Sequence, residues 1–299
     1  MPRSAPSSAP PTSSVPSVGS GGSAVPRTPP RSTRRCWMPG AVALRLDDVG
    51  ASSKRFEVYG RTRLPFGGWQ LPFPGNFLFL KYLPPIKRWG PYGELTAQAW
   101  EQILLLLEAT GARMTVAITA GWVERDGRVV PYPRKFPDAA ALLSQAVRQG
   151  LVEPANHGWT HCVLKDRLFR PRAFRGNRPW HREFVDWVPA SVHREHLARA
   201  QATLEDHFGV RVLTCVPPGN AFTRETVEAA RDVGLCYLSS RDAARWGPAE
   251  GMVFVDDACV RVLHDRELVL AGPTALAAVL REVPGPFRTV RALAAERAS

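Results

Sequence analysis

Hydrophobic positions along this chain fall into short apolar runs and longer amphipathic stretches that follow one another in turn. The first run, AVALRLDD over 41–48, stays apolar until it closes on two acids, the form of a buried strand whose end opens on a polar site. Residues 95–111 then put Leu95, Trp100, Ile103, Leu104 and Leu107 on one helical face, with Thr96 able to cap the start and Gly111 standing where a left-handed C-terminal cap belongs. The pattern predicts a strand at 113–119, a helix over 137–150 and a strand over 151–157. A helix over 190–208, a strand at 210–216, a helix at 223–234 and a strand at 235–240 come next. MVFVDD and CVRVLHD read as two further strands, and a helix over 274–283 closes the series. Two stretches break the rhythm. Residues 51–93 run through Gly, Pro and aromatics without a helical period and read as an insertion rimming a pocket, and 162–188 is rich in Arg, Trp and Pro.

Strands alternating with helices argue for a parallel α/β architecture. The polar residues gather at one end of these strands: Asp47 and Asp48, His157, Pro217 to Asn220, and His264. In parallel α/β folds the sites lie at the carboxyl ends of the strands. The expected organisation is a Ser/Pro/Gly/Arg-rich disordered tail over 1–37 and one catalytic domain over 38–299 carrying the insertion at 51–93.

Composition changes this picture little. The net charge is +12, but five of the arginines lie in the tail, and no helix-turn-helix, finger or RNA-binding signature accompanies them. A basic surface serves an anionic small substrate as well as a nucleic acid, and no nucleic-acid partner is expected. The five cysteines, Cys36, Cys162, Cys215, Cys236 and Cys259, are odd in number and far apart, which argues against a disulfide framework and a thiolate zinc site. Neither a charged start leading into an apolar core nor a run of roughly 18 apolar residues is visible. Cytoplasm is the expected compartment, with no membrane span.

The chemistry concentrates in three places. In His157-Gly-Trp-Thr-His161, histidines four apart share one face if the segment makes a helical turn, and Gly158 lets the chain bend tightly there. A lone pair of this spacing is a weak signal; a second pair, His193 and His196, sits on a helix where no site is expected. Asp47 and Asp48 would repel one another in a dry interior unless one binds a cation and leaves the other free as a base. Two His and one carboxylate form a ligand set with open positions for water and substrate. His264, in RVLHD, is suitably typed to donate a proton to a leaving group.

Taken in order, LRLDDVG, EPANHGWTH, VPPGN and VLHD resemble the polysaccharide deacetylase, or NodB-homology, family of carbohydrate esterases over about residues 40–265. The resemblance implies a distorted (β/α) barrel of about seven parallel strands. It implies Asp47 as catalytic base, Asp48, His157 and His161 as ligands of one divalent cation, and His264 as general acid, with Asp265 orienting or charging it. Pro217, Pro218 and Gly219 match the loop that shapes the pocket and helps supply a donor to the oxyanion, and Glu153 and Asn156 match the second motif. Zinc is the expected metal, with cobalt, nickel or iron as alternatives. The chain departs from the family where a third-motif arginine normally pairs with the base: Cys215 is read as standing there, with Arg45 or Arg241 as sources of a compensating charge. The fourth motif is represented only by Asp242 and Trp246. The expected reaction is removal of an N-acetyl, or secondarily an O-acetyl, group from a sugar or glycan precursor by metal-activated water. A phosphate-linked precursor is among the options; Lys81, Lys87 and Arg88 read first as a solvated basic loop and second as partners of that phosphate. The alternatives are a catalytically silent carbohydrate-binding or scaffold protein on the same fold and a glycoside hydrolase.

Overall fold

Alternation along the first strand, β1 (Val42–Val49), sorts its residues between two environments. Leu44 and Leu46 pack among helix residues Trp100, Ile103 and Leu107 in the main core, while Arg45, at zero exposure, and Asp47 turn to the other side of the sheet. The computed structural model describes residues 41–298, apart from 91, 173, 242, 247, 248 and 284. The tail expected over 1–37, Cys36 and Asp242 lie outside the described residues.

Six more parallel strands follow: β2 (Met114–Ile118), β3 (Val152–Asn156), β4 (Thr214–Cys215), β5 (Tyr237–Ser240), β6 (Val253–Asp256) and β7 (Val260–His264). Their order across the sheet is β6-β5-β4-β3-β2-β1-β7, and a short β8 (Phe287–Arg288) pairs with the start of β1. The sheet curls into a distorted barrel that stays open, because the terminal strands β6 and β7 share no ladder. Ala117, Ala155 and Val216 form a small cluster of their own on the inner side, separate from the helix-facing core.

Helices α1 (Ala97–Thr110), α2 (Pro137–Arg148), α3 (Ala190–Phe208), α4 (Arg224–Asp232), α5 (Asp265–Ala271), α6 (Pro273–Glu282) and α7 (Val290–Ala298) complete the alternation. The caps read from the sequence of α1 form: the Thr96 hydroxyl accepts from Ala99 N, and Gly111 is left-handed at φ 65. Among the described residues, no helix is long and apolar enough to cross a membrane.

Three expectations change. The strand at 210–216 shrinks to β4, because α3 side chains take the backbone groups just before it: Glu205 accepts from Val212 N and Gln201 donates to Val212 O. Residues 51–93 are not bare loop; the described ones hold two antiparallel ribbons, Val58–Gly60 with Lys87–Trp89 and Arg63–Phe66 with Trp69–Pro72. The chain also continues past 283 into β8 and α7, and α5 follows β7 directly; both helices are short for a periodic signal.

That last helix closes the amino end of the barrel. Val290, Leu293 and Ala294 pack on Ala43 and Val260, at the starts of β1 and β7. Val290 N donates to Thr115 Oγ1 at 2.8 Å, and Arg291 N donates to Glu153 Oε2 at 3.2 Å. Glu153, matched above to the second motif, thus lies at the far end of the barrel, where it also accepts from Thr115 Oγ1 at 2.8 Å and from Thr214. Glu153→Ala leaves two hydroxyls and a backbone N–H unpaired in the interior, and should lower unfolding free energy by about 3 kcal/mol in a urea titration.

Candidate active site

Asp47 and Asp48 are consecutive in a strand, so regular pleating would turn their side chains to opposite faces. The strand avoids this by a bulge. Its pairing with β2 shifts register between Leu46 and Val49, and Asp48 adopts the left-handed region at φ 69, a conformation that costs a non-glycine residue of order 1–3 kcal/mol. Asp47 remains inward, and the Asp48 carboxylate swings towards the ends of β2 and β3, where the histidines stand.

Asp48 Oδ1 lies 3.4 Å from His157 Nε2 and 3.1 Å from His161 Nε2, and one ligand atom from each residue lies within 4.8 Å of the others. Burial alone would raise the Asp48 carboxyl, but the hydrogen bonds and charges of His157 and His161 outweigh it and hold the group well below the usual carboxylate range.

The two imidazoles do not meet on a helical turn, contrary to the sequence expectation. His157 follows the end of β3, and the chain turns through Gly158 at φ 78 and His161 at φ 58 in a loop. Glu183 holds that loop. Its buried carboxylate accepts from the backbone N–H of Trp159 and Thr160 at 3.1 Å and of His161 at 3.0 Å, an anion in a nest of amides. His196 pairs with the same carboxylate, so the pair expected to do nothing contributes one member to the support of the site. His193 is buried in packing and bonds Thr226 Oγ1 at 3.0 Å.

Each ring is oriented from behind. His157 Nδ1 stands 2.5 Å from the carbonyl oxygen of Val216, which can only accept, so Nδ1 donates there and Nε2 is the nitrogen turned to Asp48. Ser53 Oγ contacts His161 Nδ1 at 2.9 Å and orients the second ring from behind. Two imidazole Nε2 atoms and a carboxylate oxygen, converging and backed by hydrogen bonds, are a donor set that fits a divalent cation. His181 is buried nearby with both ring nitrogens unpaired among the described residues; burial, then the charges of His161 and Arg178, lowers its pKa to about 3.

Arg45 supplies the charge beside Asp47. Its Nε and Nη2 donate to the two Asp47 oxygens at 2.8 and 2.9 Å, while Nη1 donates to Ser239 Oγ at 2.7 Å and Asp257 Oδ1 at 2.8 Å. Burial would weaken the guanidinium as a base, yet the charges of Asp47 and Asp257 hold its pKa above the ordinary value. Arg241 is exposed and, among the described residues, its hydrogen bond is the one its backbone N–H donates to Asn220. Cys215 packs in the helix-facing core, its thiol pushed up to about 12 by burial and then by Glu183, so the position read as the missing arginine faces away from Asp47. Val216 is the inward residue at the end of β4.

The remaining sequence candidates divide. His264, half-buried, is the register partner of Asp47 across β1 and β7. Asp265 does not serve it: it is buried against Lys54, whose Nζ also reaches Glu94 Oε2 at 2.8 Å and the Asp48 carbonyl at 3.2 Å. Pro217, Pro218 and Gly219 form the turn after β4, and only Gly219 of the three carries a backbone N–H. Asn156 braces the loop, accepting from Gly158 N at 3.0 Å and donating to Gln201 Oε1 at 3.1 Å. Trp246 stacks on Phe222, with ring centroids 4.8 Å apart. Sequence reasoning missed Ser53, Glu183 and the Val216 carbonyl, and no local spacing points to any of them.

Residues 90–238 match the family model described as polysaccharide deacetylase. That span takes in His157, His161 and the Pro217–Gly219 turn and leaves Asp47, Asp48 and His264 outside. Among solved structures the chain is similar to a CE4 family pseudoenzyme from Bacillus anthracis, with 14% identity and a TM-score of 0.43 over 67% of this chain and 62% of that one. The chain therefore spans less than two thirds of that protein's length. It is also similar to a family 4 acetyl xylan esterase from Clostridium thermocellum in complex with a cobalt ion, with 14% identity and a TM-score of 0.41 over 69% of this chain and 88% of that one. For the BpsB deacetylase domain from Bordetella bronchiseptica the identity is 20% and the TM-score 0.37, over 56% and 68% of the two chains. No curated protein matches the chain.

The geometry around Gly158 yields a direct test. A Cβ there would stand 2.1 Å from Glu183 Oε2 on a left-handed backbone. Gly158→Ala should force the carboxylate out of its nest and cost about 3 kcal/mol, read as a drop in Tm of several degrees.

Proposed function

The chain belongs to the polysaccharide deacetylase family, and we propose that it is a metal-dependent hydrolase that removes an N-acetyl group from an aminosugar or glycan precursor, an O-acetyl group being the second choice. The observation that carries this reading is the convergence of Asp48 Oδ1 with the Nε2 atoms of His157 and His161. These three would hold one divalent cation, zinc by first expectation, with cobalt, nickel or iron taking the same ligand set. When bound there, such an ion acidifies water and polarises an acyl oxygen.

In this reading the chain's own residues divide the proton work. Asp47 is the base that takes a proton from the attacking water. The bidentate grip of Arg45 fixes the direction of that carboxylate inside the barrel. His264, the strand neighbour of Asp47, delivers a proton to the departing amine. A backbone donor to the oxyanion from the turn after β4 would be the N–H of Gly219, since Pro217 and Pro218 have none. The domain is taken as 38–299 with its insertion at 51–93, and the substrate as a precursor met in the cytoplasm.

Two features favour this reading over its rivals. A glycoside hydrolase needs two carboxyl groups free to work across a sugar. Here the Asp48 carboxylate is committed to two histidines, for which that chemistry has no use. A silent binding module has no use for an inward carboxylate carried on a buried guanidinium, which is costly to bury.

Elemental analysis of the purified protein should give about one metal equivalent per chain, and Asp48→Ala should lose nearly all of it. Retention of a full equivalent by that variant would remove the ligand assignment. Asp47→Asn should keep the metal while acetate release from N-acetylated sugars falls by about 10²–10⁴. Loss of metal in Asp47→Asn would instead make Asp47 a ligand.

A further inference from the structure

A cavity of about 270 Å³ draws its walls from three separate parts of the chain. Glu57, Tyr59, Lys81 and Tyr82 come from the insertion, Arg178 from the second irregular stretch, and Arg266 from the first turn of α5. Each wall adjoins, within a few residues, a side chain that contacts or neighbours the candidate site. Glu57 follows the turn Ser52–Phe56, which carries Ser53 against His161 and Lys54 against the Asp48 carbonyl. Arg178 opens the turn that ends in His181, and Arg266 is two residues beyond His264. Burial opposes the charge of Arg266, yet Asp48 and then Glu57 hold its pKa above the ordinary value.

Three cations face one carboxylate in this cavity. Glu57 is already engaged: it accepts from Tyr59 Oη at 2.5 Å and lies 3.6 Å from Arg266 Nη1. Among the described residues neither Lys81 nor Arg178 pairs with a carboxylate; Lys81 Nζ instead lies 5.4 Å from the ring of Tyr82. Lys87, expected from the sequence to share this role, lies over Trp89 at 4.4 Å and does not line the cavity, nor does Arg88. Arginine forks, an ammonium and a phenol are the donors that take up a multiply charged oxyanion. A neutral sugar ring has no need of two uncompensated cations.

We infer that this cavity is a subsite for a phosphate ester carried by the acetylated sugar, gripped by Lys81, Arg178 and Arg266 while the acetyl group reaches Asp48 and the two histidines. The inference rests on the deacetylase reading for the sugar and on the cavity alone for the phosphate. One feature bears on the source of that phosphate. Phe79 and Phe174, with ring centroids 5.3 Å apart, are 46% and 60% exposed, two residues before Lys81 and two before Gly176 at the cavity's edge. An aromatic edge would suit the chain of a lipid that carries the phosphate.

The test has a binding arm and a turnover arm. Calorimetry with inorganic phosphate on Asp48→Ala, which removes a metal ligand, should give saturable binding that weakens about tenfold or more in Asp48→Ala combined with Arg178→Ala or with Lys81→Ala. Acetate release by the parent should favour an N-acetylhexosamine 1-phosphate in solution, or a polyprenyl-phosphate-linked N-acetylhexosamine in phosphatidylcholine vesicles, over the matching phosphate-free sugar by about tenfold or more in kcat/KM. That preference should collapse in Arg178→Ala. Preference for the dissolved form supports the subsite with a free sugar phosphate, and preference for the vesicle form supports it with a lipid carrier. Equal turnover with and without phosphate, or phosphate binding indifferent to both substitutions, overturns the subsite and leaves the deacetylase reading in place. Phosphate binding that depends on Arg178 without acetate release from any sugar supports the subsite and counts against the deacetylase reading.

Discussion

Arg45 carries a full charge at zero exposure inside the barrel, where an uncompensated cation would cost several kcal/mol. The cost is met by two carboxylates and a hydroxyl. Asp47 takes Nε and Nη2, and Ser239 and Asp257 share Nη1. The side chain therefore ties β1 to β5 and to the turn after β6, across the opening where β6 and β7 fail to pair. Removing one partner would leave the other charge buried, so the barrel interior and the orientation of Asp47 stand or fall together.

The position of Asp47 sets the problem that the bulge at Asp48 solves. With Asp47 held inward by Arg45, an unbroken pleat would send Asp48 into the leucine-rich core beneath α1. The left-handed turn at Asp48 turns the carboxylate towards His157 and His161, and the Lys54 ammonium secures the strained backbone by bonding the Asp48 carbonyl. On the other side, the Glu183 carboxylate stabilises the opposing loop through three backbone N–H groups. Two strained segments face each other, each stabilised by an ion buried beneath it.

Burial of these supporting charges explains where the sequence reading of roles went astray. Asp265 follows His264 in the chain, but a helix begins there, and the side chain turns to Lys54 instead. Cys215 precedes the Pro217–Gly219 turn by two residues, yet pleating sends it into the helix layer and leaves Val216 inward. In both cases alternation or a helix start separates in space two residues that are adjacent in the chain.

The alternation of strands and helices, the caps of α1 and the gathering of acids and histidines at the carboxyl ends of the strands were legible in the chain alone. Hydrophobic period and capping depend on residues within a few positions of one another, and cation chemistry restricts the residue types that can serve it. The turn through Gly158 was half legible: the glycine marked a tight bend, but whether it wound as a helix depended on Glu183, 25 positions on. Only the tertiary structure chose Arg45 over Arg241, set Ser53 and the Val216 carbonyl behind the two rings, and closed the barrel with α7. It also brought Lys81, Arg178 and Arg266 around one cavity. Apart from the grip of Arg45 on Asp47, those choices are made by buried charge and hydrogen-bond satisfaction between residues from 59 to 212 positions apart, and no local pattern encodes which distant partner a desolvated group will find.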